Sequence, residues 1–288
     1  MGGYSIWVLE YSHVLEYPES GIMYGAHNQG TRKLPYGYVY MRGNGHHIMV
    51  DVGFDNAAYG GELADRFGVT DWQPPTVVLG EVGVRPEDID TVFVTHAHFD
   101  HFGNVEAFPN ATFYLQEREL SKWLWALALP PAQQSMAIAV DPADVLRASK
   151  LAVDGRLKLL DGSVGSVLPG IDVHAAYDTH TFGSMWLSVQ ATEGPEGRYI
   201  LAGDNVYVYE NLEGVDGDGV MRPIGLGFDV VKCMLTTVEM MDLVGGQARQ
   251  VVPVHEARLP KVFPSREAAT GLSVTEIVLG DDSTSYVS

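Results

Sequence analysis

Cysteine is almost absent from this chain of 288 residues, which contains one, Cys233. A single cysteine cannot form a disulfide within the chain, so the fold cannot depend on an oxidising compartment for its stability. Because Cys233 lies in an apolar, helix-like stretch, we expect a buried and unreactive thiol rather than a nucleophile.

Basic residues are also scarce. The chain has 18 Lys and Arg against 37 Asp and Glu, which gives a formal net charge of −19. Nucleic-acid binding needs clustered Lys and Arg to neutralise phosphates, and anionic membranes attract basic surfaces. The composition therefore argues against nucleic acid and membrane as partners.

Long apolar runs are missing as well. No stretch approaches the roughly 18 apolar residues of a membrane span, and the first residues, MGGYSIWVLEYSH, lack the basic start and apolar core of a signal peptide. These absences predict a cytoplasmic protein. Apolar residues nevertheless make up 46% of the chain, enough for a large hydrophobic core.

The order of the predicted elements is typical of an α/β protein. A β-hairpin is expected where residues 36–41 and 47–52 flank the turn-forming pair Asn44-Gly45. Further strands are predicted at 91–95, 112–115, 157–160, 170–175, 184–190, 199–202 and 251–254, and helices at 58–67, 75–82 and 229–243. Residues 117–150 are predicted to form a helical insert, interrupted at Pro130-Pro131. No linker divides the chain, so we expect a single domain, 1–288.

Three histidines and an aspartate stand within six residues, in the segment His96-Ala97-His98-Phe99-Asp100-His101, which follows the predicted strand 91–95. Packing imidazoles together costs desolvation, and repulsion if a ring takes up a proton. A divalent cation removes both costs, because imidazole nitrogen and carboxylate oxygen are its preferred ligands. We therefore expect His96 and His98 to face one ion, and Asp100 and His101 to face a neighbouring one.

This His-x-His-x-Asp-His pattern resembles the signature of the metallo-β-lactamase superfamily. Three later segments resemble further motifs of that family in the same order: 177–184 around His180, 201–205 around Asp204 and 252–255 ending at His255. The resemblance implies an αββα sandwich of two mixed β-sheets flanked by helices.

The resemblance also implies the ligands of two divalent metal ions, expected to be zinc, with iron or manganese as alternatives. One ion would be held by His96, His98 and His180, the other by Asp100, His101 and His255, and both by a bridging Asp204.

Within the superfamily the chain resembles the N-acyl-homoserine lactonases, because Tyr207 stands three residues after Asp204. The resemblance implies a dinuclear metal-dependent hydrolase that opens a lactone by attack of a metal-bridging hydroxide. Tyr207 would hold the substrate carbonyl or the developing oxyanion. Asp100 or Asp204 would transfer the proton.

Three loops depart from the lactonase pattern and leave the substrate open: those that follow His101 and His180, and the one around His255. A cyclic amide or imide, a thioester and a β-lactam are alternative substrates for the same metal site.

Residues outside the ligand set complete the expected site. Asp51 is a candidate partner that orients a ligand histidine through a hydrogen bond. Phe182, His27, Met23 and Trp123 are candidate substrate contacts, and the insert that carries Trp123 would cap the active site. The expected partner is a small molecule with a neutral or weakly charged ring, since a strong anion would approach against the field of the protein. A homodimer is left open.

Overall fold

The computed structural model describes residues 3–280 and 283–288. In this part of the chain the strands are β1 (Tyr4–Pro18), β2 (Thr31–Gly43), β3 (His46–Val50), β4 (Val69–Thr70), β5 (Thr91–Phe93), β6 (Thr112–Gln116), β7 (Leu157–Leu160), β8 (Val164–Leu168), β9 (Ile171–Ala176), β10 (Ser184–Gln190), β11 (Arg198–Leu201), β12 (Val251–Val252), β13 (Ser265–Glu267) and β14 (Ser273–Val278).

The α-helices of the described residues are α1 (Glu19–Ile22), α2 (Ala58–Phe67), α3 (Pro75–Gly80), α4 (Phe99–Phe102), α5 (Glu117–Leu127), α6 (Pro142–Val153), α7 (Glu210–Glu213), α8 (Val230–Leu243) and α9 (Leu259–Val262). None of these helices combines the length and the apolar character needed to cross a membrane.

The strands form two mixed sheets flanked by helices, which confirms the predicted fold class. Within the described residues, the first sheet has the order β13-β14-β1-β2-β3-β5-β6-β7, with β4 paired to β1, and the second has the order β12-β11-β10-β9-β8. Parallel pairs join β3, β5, β6 and β7 in the first sheet, and β11 and β12 in the second. The remaining pairs are antiparallel.

Alternation along β1 explains why helices cover the outside of the sandwich. Tyr4, Ile6 and Val8 point into the core between the two sheets. Trp7 and Leu9 belong to a second core, between the first sheet and helices that include α2, α3, α5 and α6. Because successive side chains of a strand point to opposite faces, a strand that is apolar on both faces needs a cover on each side.

The predicted hairpin is confirmed, since β2 and β3 pair antiparallel around Asn44-Gly45, both at positive φ. The helical character predicted for 117–150, with its interruption at Pro130-Pro131, is confirmed by two helices, α5 and α6, with a 3-10 segment at Pro131–Ala137 between them. The strands β1, β4, β8, β13 and β14 were not predicted. In β1 the first eleven residues are all buried, so burial on both faces hides the one-sided alternation that marks a strand in a sequence.

Candidate metal centre

The predicted metal ligands all lie shortly after strands, in loops or in short helical segments. The segment His96–His101 follows β5, His180 follows β9, Asp204 follows β11 and His255 follows β12. In the second sheet, β9 has the same direction as β11, because both pair antiparallel with β10, and β12 pairs parallel with β11. The carboxyl ends of these strands therefore meet at one edge of the sandwich, where α/β sheets commonly carry their sites.

The ligand atoms form two groups, and within each group they lie within 4.8 Å of one another. The first group is His96, His98, His180 and Asp204, and the second group is Asp100, His101 and His255.

Asp204 lies between the two groups. Its Oδ2 is 3.4 Å from His180 Nε2 and 3.8 Å from His96 Nε2. Its Oδ1 is 3.1 Å from His255 Nε2 and 3.2 Å from His101 Nε2. Each carboxylate oxygen therefore faces one group, as a carboxylate that bridges two cations must.

Two ligand histidines are oriented by backbone carbonyls. The Nδ1–H of His180 donates to the Leu226 carbonyl at 2.6 Å, and that of His255 donates to the Pro35 carbonyl at 2.7 Å. Because a carbonyl oxygen only accepts, Nδ1 must carry the proton in both rings. The Nε2 lone pair of each neutral ring is therefore directed at the site.

Asp51, which follows β3, orients two other ligand histidines. Its Oδ1 accepts a hydrogen bond from the Thr95 amide at 2.7 Å, and its Oδ2 accepts from the Thr95 hydroxyl and from His101 Nδ1, both at 2.8 Å. The Thr95 hydroxyl, having donated to Asp51, accepts from His96 Nδ1 at 3.0 Å. Both rings thus turn Nε2 towards the site.

The buried nitrogens at the centre fit divalent cations. Within the described residues, the Nε2 atoms of His96 and His101 are buried and have no hydrogen-bond partner. The His98 Nδ1 and His180 Nε2 atoms lie 2.9 Å apart. Burial, reinforced by the neighbouring His180, lowers the pKa of His98 to about 3, so a proton is a poor bridge between the two rings. A metal ion would satisfy these lone pairs, and unpaired buried polar atoms are otherwise costly.

The ionised carboxylates of the site are stabilised by positive charge beside them. Burial opposes the ionisation of Asp204, but His101 and His255 outweigh it and hold its pKa well below the usual value. The pKa of Asp100 is likewise lowered, because His101 outweighs the effect of burial. Two ionised carboxylates in a buried site need positive charge beside them, which His101 and His255 supply when protonated and which divalent cations would supply when both rings act as neutral ligands.

A cavity of about 240 Å³ opens onto the ligands. Apart from ligand residues, its wall is aromatic or aliphatic and comprises Tyr17, Leu34, Tyr36, Phe67, Phe99, Ile138, Ala139, Tyr207 and Leu226. Among the residues that the structure describes, no Lys or Arg lines this wall.

Residues 35–231 match the family model of the metallo-beta-lactamase superfamily. The chain belongs to this superfamily.

Two curated relatives that match parts of the chain are named as metal-dependent hydrolases or probable metallo-hydrolases. A "Probable metallo-hydrolase" of Methanocaldococcus jannaschii is 49% identical over 41 residues, which are 14% of this chain and 20% of that protein. A metal-dependent hydrolase of Methanosphaerula palustris is 32% identical over 117 residues, 36% of this chain and 52% of that protein. The matches therefore span at most about half the length of these relatives.

Two solved lactonases share the fold. A quorum-quenching N-acyl homoserine lactone lactonase superposes with a TM-score of 0.65 at 20% identity, covering 91% of this chain and 95% of that chain. AidC, a dizinc quorum-quenching lactonase in complex with a product, superposes with a TM-score of 0.65 at 15% identity, covering 94% of both chains.

In this superfamily member Tyr207 lies beside the predicted metal ligands. Its ring centroid is 5.0 Å from that of His255 and 5.8 Å from that of His180. The Asn211 Oδ1 accepts hydrogen bonds from the backbone N–H groups of Tyr207 and Val208, both at 2.9 Å. These bonds fix the backbone at Tyr207. Burial and the nearby Asp204 raise the pKa of Tyr207 well above its ordinary value, so the phenol keeps its proton and can donate it in a hydrogen bond.

The other four predicted substrate contacts do not line the cavity. Trp123 is fully buried, with its ring 5.9 Å from that of His98 and 4.9 Å from that of Phe182. Met23 is buried and lines a separate cavity, and His27 is exposed. Contact of these residues with a substrate stays a prediction, and in this structure Trp123 and Phe182 pack against each other.

Sequence reasoning missed several residues of the wall. Tyr17 and Tyr36 come from β1 and β2 and carry no motif, so only the pairing of distant segments places them at the site. Phe99 had a signal, because it stands inside the histidine motif, directly before Asp100.

Proposed function

We propose that this protein is a dinuclear metal-dependent hydrolase that opens a cyclic ester. The observation that carries the proposal is the placement of Tyr207, a neutral phenol in the cavity wall, beside two ligand groups that Asp204 joins. The fold that the chain shares with lactonases supports a lactone as the substrate.

The donor set suits zinc, and two such ions would supply a hydroxide nucleophile at neutral pH and polarise the substrate carbonyl. The residues of the chain supply the rest. Tyr207 would donate a hydrogen bond to the carbonyl oxygen and stabilise the negative charge that develops there. The ionised Asp100, which lines the cavity, or Asp204 would accept the proton of the attacking nucleophile and pass it to the leaving alkoxide oxygen.

The cavity favours a neutral ring over a charged substrate. Its wall offers phenols and apolar side chains, and in the described residues it offers no basic group that would pair with a carboxylate or a phosphate. Ile138 and Ala139, from the segment between α5 and α6, form part of this wall. We therefore propose that the insert caps the site through these two residues rather than through Trp123.

The test is metal analysis of the purified protein together with a hydrolysis panel. The panel contains N-acyl-homoserine lactones, simple lactones, cyclic amides and imides, thioesters and a β-lactam. We expect about two ions per chain and a preference for lactones. Asp204→Asn and His101→Ala serve as controls and should lose both metal and activity. Activity confined to ring amides or thioesters would replace the proposed substrate, and activity of metal-free protein would overturn the mechanism.

A further inference from the structure

A buried carboxylate outside the ligand set connects the two loops of the first group. Glu119 is the third residue of α5 and is fully buried. Within the described residues it forms no salt bridge, and backbone and side-chain donors surround it instead. Burying an ionised carboxylate is costly unless its oxygens accept hydrogen bonds. The donors around Glu119 therefore indicate which parts of the chain it holds together.

Glu119 accepts four hydrogen bonds. Its Oε1 accepts from the Ala97 amide at 2.9 Å and from Trp123 Nε1 at 2.7 Å. Its Oε2 accepts from the Thr181 hydroxyl at 2.8 Å and from the Gly183 amide at 2.6 Å. Every bond except the one from Trp123 comes from a ligand loop.

The positions of these donors relate Glu119 to the first group alone. Ala97 stands between His96 and His98, and Thr181 directly follows His180. One carboxylate therefore binds a residue directly adjacent to each of the three histidines of the first group. Asp51 makes the corresponding bond to His101, in the second group.

The packing of Gly183 is an independent observation on the same contact. A Cβ atom added at this position would lie 2.8 Å from the Glu119 Cα and closer still to the Glu119 amide nitrogen. The His180 loop therefore lies directly on the backbone of α5, at a distance that only glycine allows.

We propose that Glu119 is a positioning residue that holds the first ligand group in its metal-binding geometry. Without its oxygens, the amides of Ala97 and Gly183 lose their buried acceptors, and the two loops are free to separate. Loss of such an outer partner typically weakens metal binding by about 10- to 100-fold. The proposal rests on the metal-binding part of the proposed function and not on its substrate.

The test compares Glu119→Gln with Asp144→Asn in the full chain. Glutamine keeps the size of Glu119, but its amide nitrogen cannot accept the two bonds at one end of the side chain. Asp144, on α6, is the matched control, because its buried carboxyl group accepts a hydrogen bond from Arg147 and none from a ligand loop. The affinity for zinc is measured by competition with a chromophoric chelator after the protein has been stripped and reloaded. His180→Ala and His255→Ala assign each ion to its group.

We expect Glu119→Gln to weaken the His180-dependent ion by about 10- to 100-fold and to leave the His255-dependent ion unchanged. Asp144→Asn should bind both ions as the unmodified protein does. A purely structural role for Glu119 would affect both ions alike.

The proposal is overturned if Glu119→Gln keeps the original affinities, if it weakens both ions equally, or if no bound ion depends on His180. Should Glu119→Gln fail to fold, Thr181→Val decides in its place, because it removes one donor and leaves three; a selective but smaller loss at the first group is then expected. These readouts need no substrate, so failure of the lactone hypothesis would leave them interpretable.

Discussion

At the scale of single residues, the surroundings of each imidazole ring distinguish the predicted ligand histidines from the other histidines. The Nδ1–H of His255 donates to the Pro35 carbonyl, and its Nε2 faces the site. His13 has both nitrogens paired with carboxylates, Nδ1 with Glu10 and Nε2 with Asp71. His13 therefore belongs to neither ligand group, although its side chain is buried as well.

Tyr207 offers a test of the hydroxyl alone. Tyr207→Phe keeps the ring that packs against His180 and His255 and removes the donor to the substrate oxygen. We expect kcat to fall by about 10²- to 10³-fold, as on loss of one oxyanion donor, while the metal content stays at that of the unmodified protein. Steady-state kinetics and elemental analysis measure the two quantities, and an unchanged kcat would remove Tyr207 from the mechanism.

Asp144 gives a prediction for the pH dependence of stability. Burial raises its pKa to about 8, against the opposing hydrogen bond from Arg147. Between about pH 4, where an unfolded Asp loses its proton, and pH 8, the folded protein holds a proton that the unfolded chain has released. The free energy of unfolding therefore falls as the pH rises through this window.

Asp144→Asn removes this titration. We expect the free energy of unfolding of the variant, relative to that of the unmodified protein, to increase from pH 5 to pH 8 and then to level off. Urea denaturation at a series of pH values, at constant metal concentration, measures the difference. Parallel pH profiles for the two proteins would contradict the prediction.

At the scale of elements, the predicted ligands follow short strands, and helix α5 holds the loops of the first ligand group in place. The strand β5 has three residues and β12 has two, yet the loop after each carries metal ligands. Helix α5 reinforces the first group from outside, through Glu119 and through an ion pair of Arg118 with Asp178. Loops anchored in this way can hold ligand atoms in place before a metal binds.

Gly183 tests the contact between the loop and α5. Gly183→Ala forces a methyl group against the backbone of Glu119, so we expect a loss of about 1–3 kcal/mol in the free energy of unfolding, as for overpacking, together with weaker zinc binding. Gly80→Ala is the control, because a Cβ atom there meets nothing within 4 Å. Chemical denaturation should show the control within about 0.5 kcal/mol of the unmodified protein. Equal effects of the two substitutions would refute the close contact.

At the scale of the whole molecule, the candidate metal centre joins both sheets. Its ligands follow β5 of the first sheet and β9, β11 and β12 of the second. Bound ions would therefore link the two halves of the sandwich and offset part of the net charge of −19. A homodimer and a cytoplasmic location stay predictions.

Metal removal should consequently destabilise the entire fold. An ion present at about 1,000 times its Kd contributes about 4 kcal/mol by linkage, which corresponds to a fall in Tm on the order of 10 °C. Differential scanning calorimetry before and after chelation measures the shift, and zinc added back is the control that should restore the original Tm. A Tm that does not respond to chelation would mean that the centre does not bind its ions in the folded protein.

The sequence by itself determined the fold class and named the seven residues that the structure gathers into two groups, from His96 to His255. It could do so through the resemblance to the superfamily, because each predicted ligand stands in a short motif that can be recognised in the sequence alone. Asp51 was found in the same way, as a polar residue at the end of a buried strand.

Only the tertiary structure decided which other side chains reach the cavity. Tyr17 and Tyr36, from two paired strands, line the cavity. Trp123 and Phe182 pack against each other. Four donors surround Glu119. The physical reason is that such contacts form between segments far apart in the chain. The local sequence pattern therefore does not predict these contacts. They form only when the sheets and helices pack together and bury the surface between them.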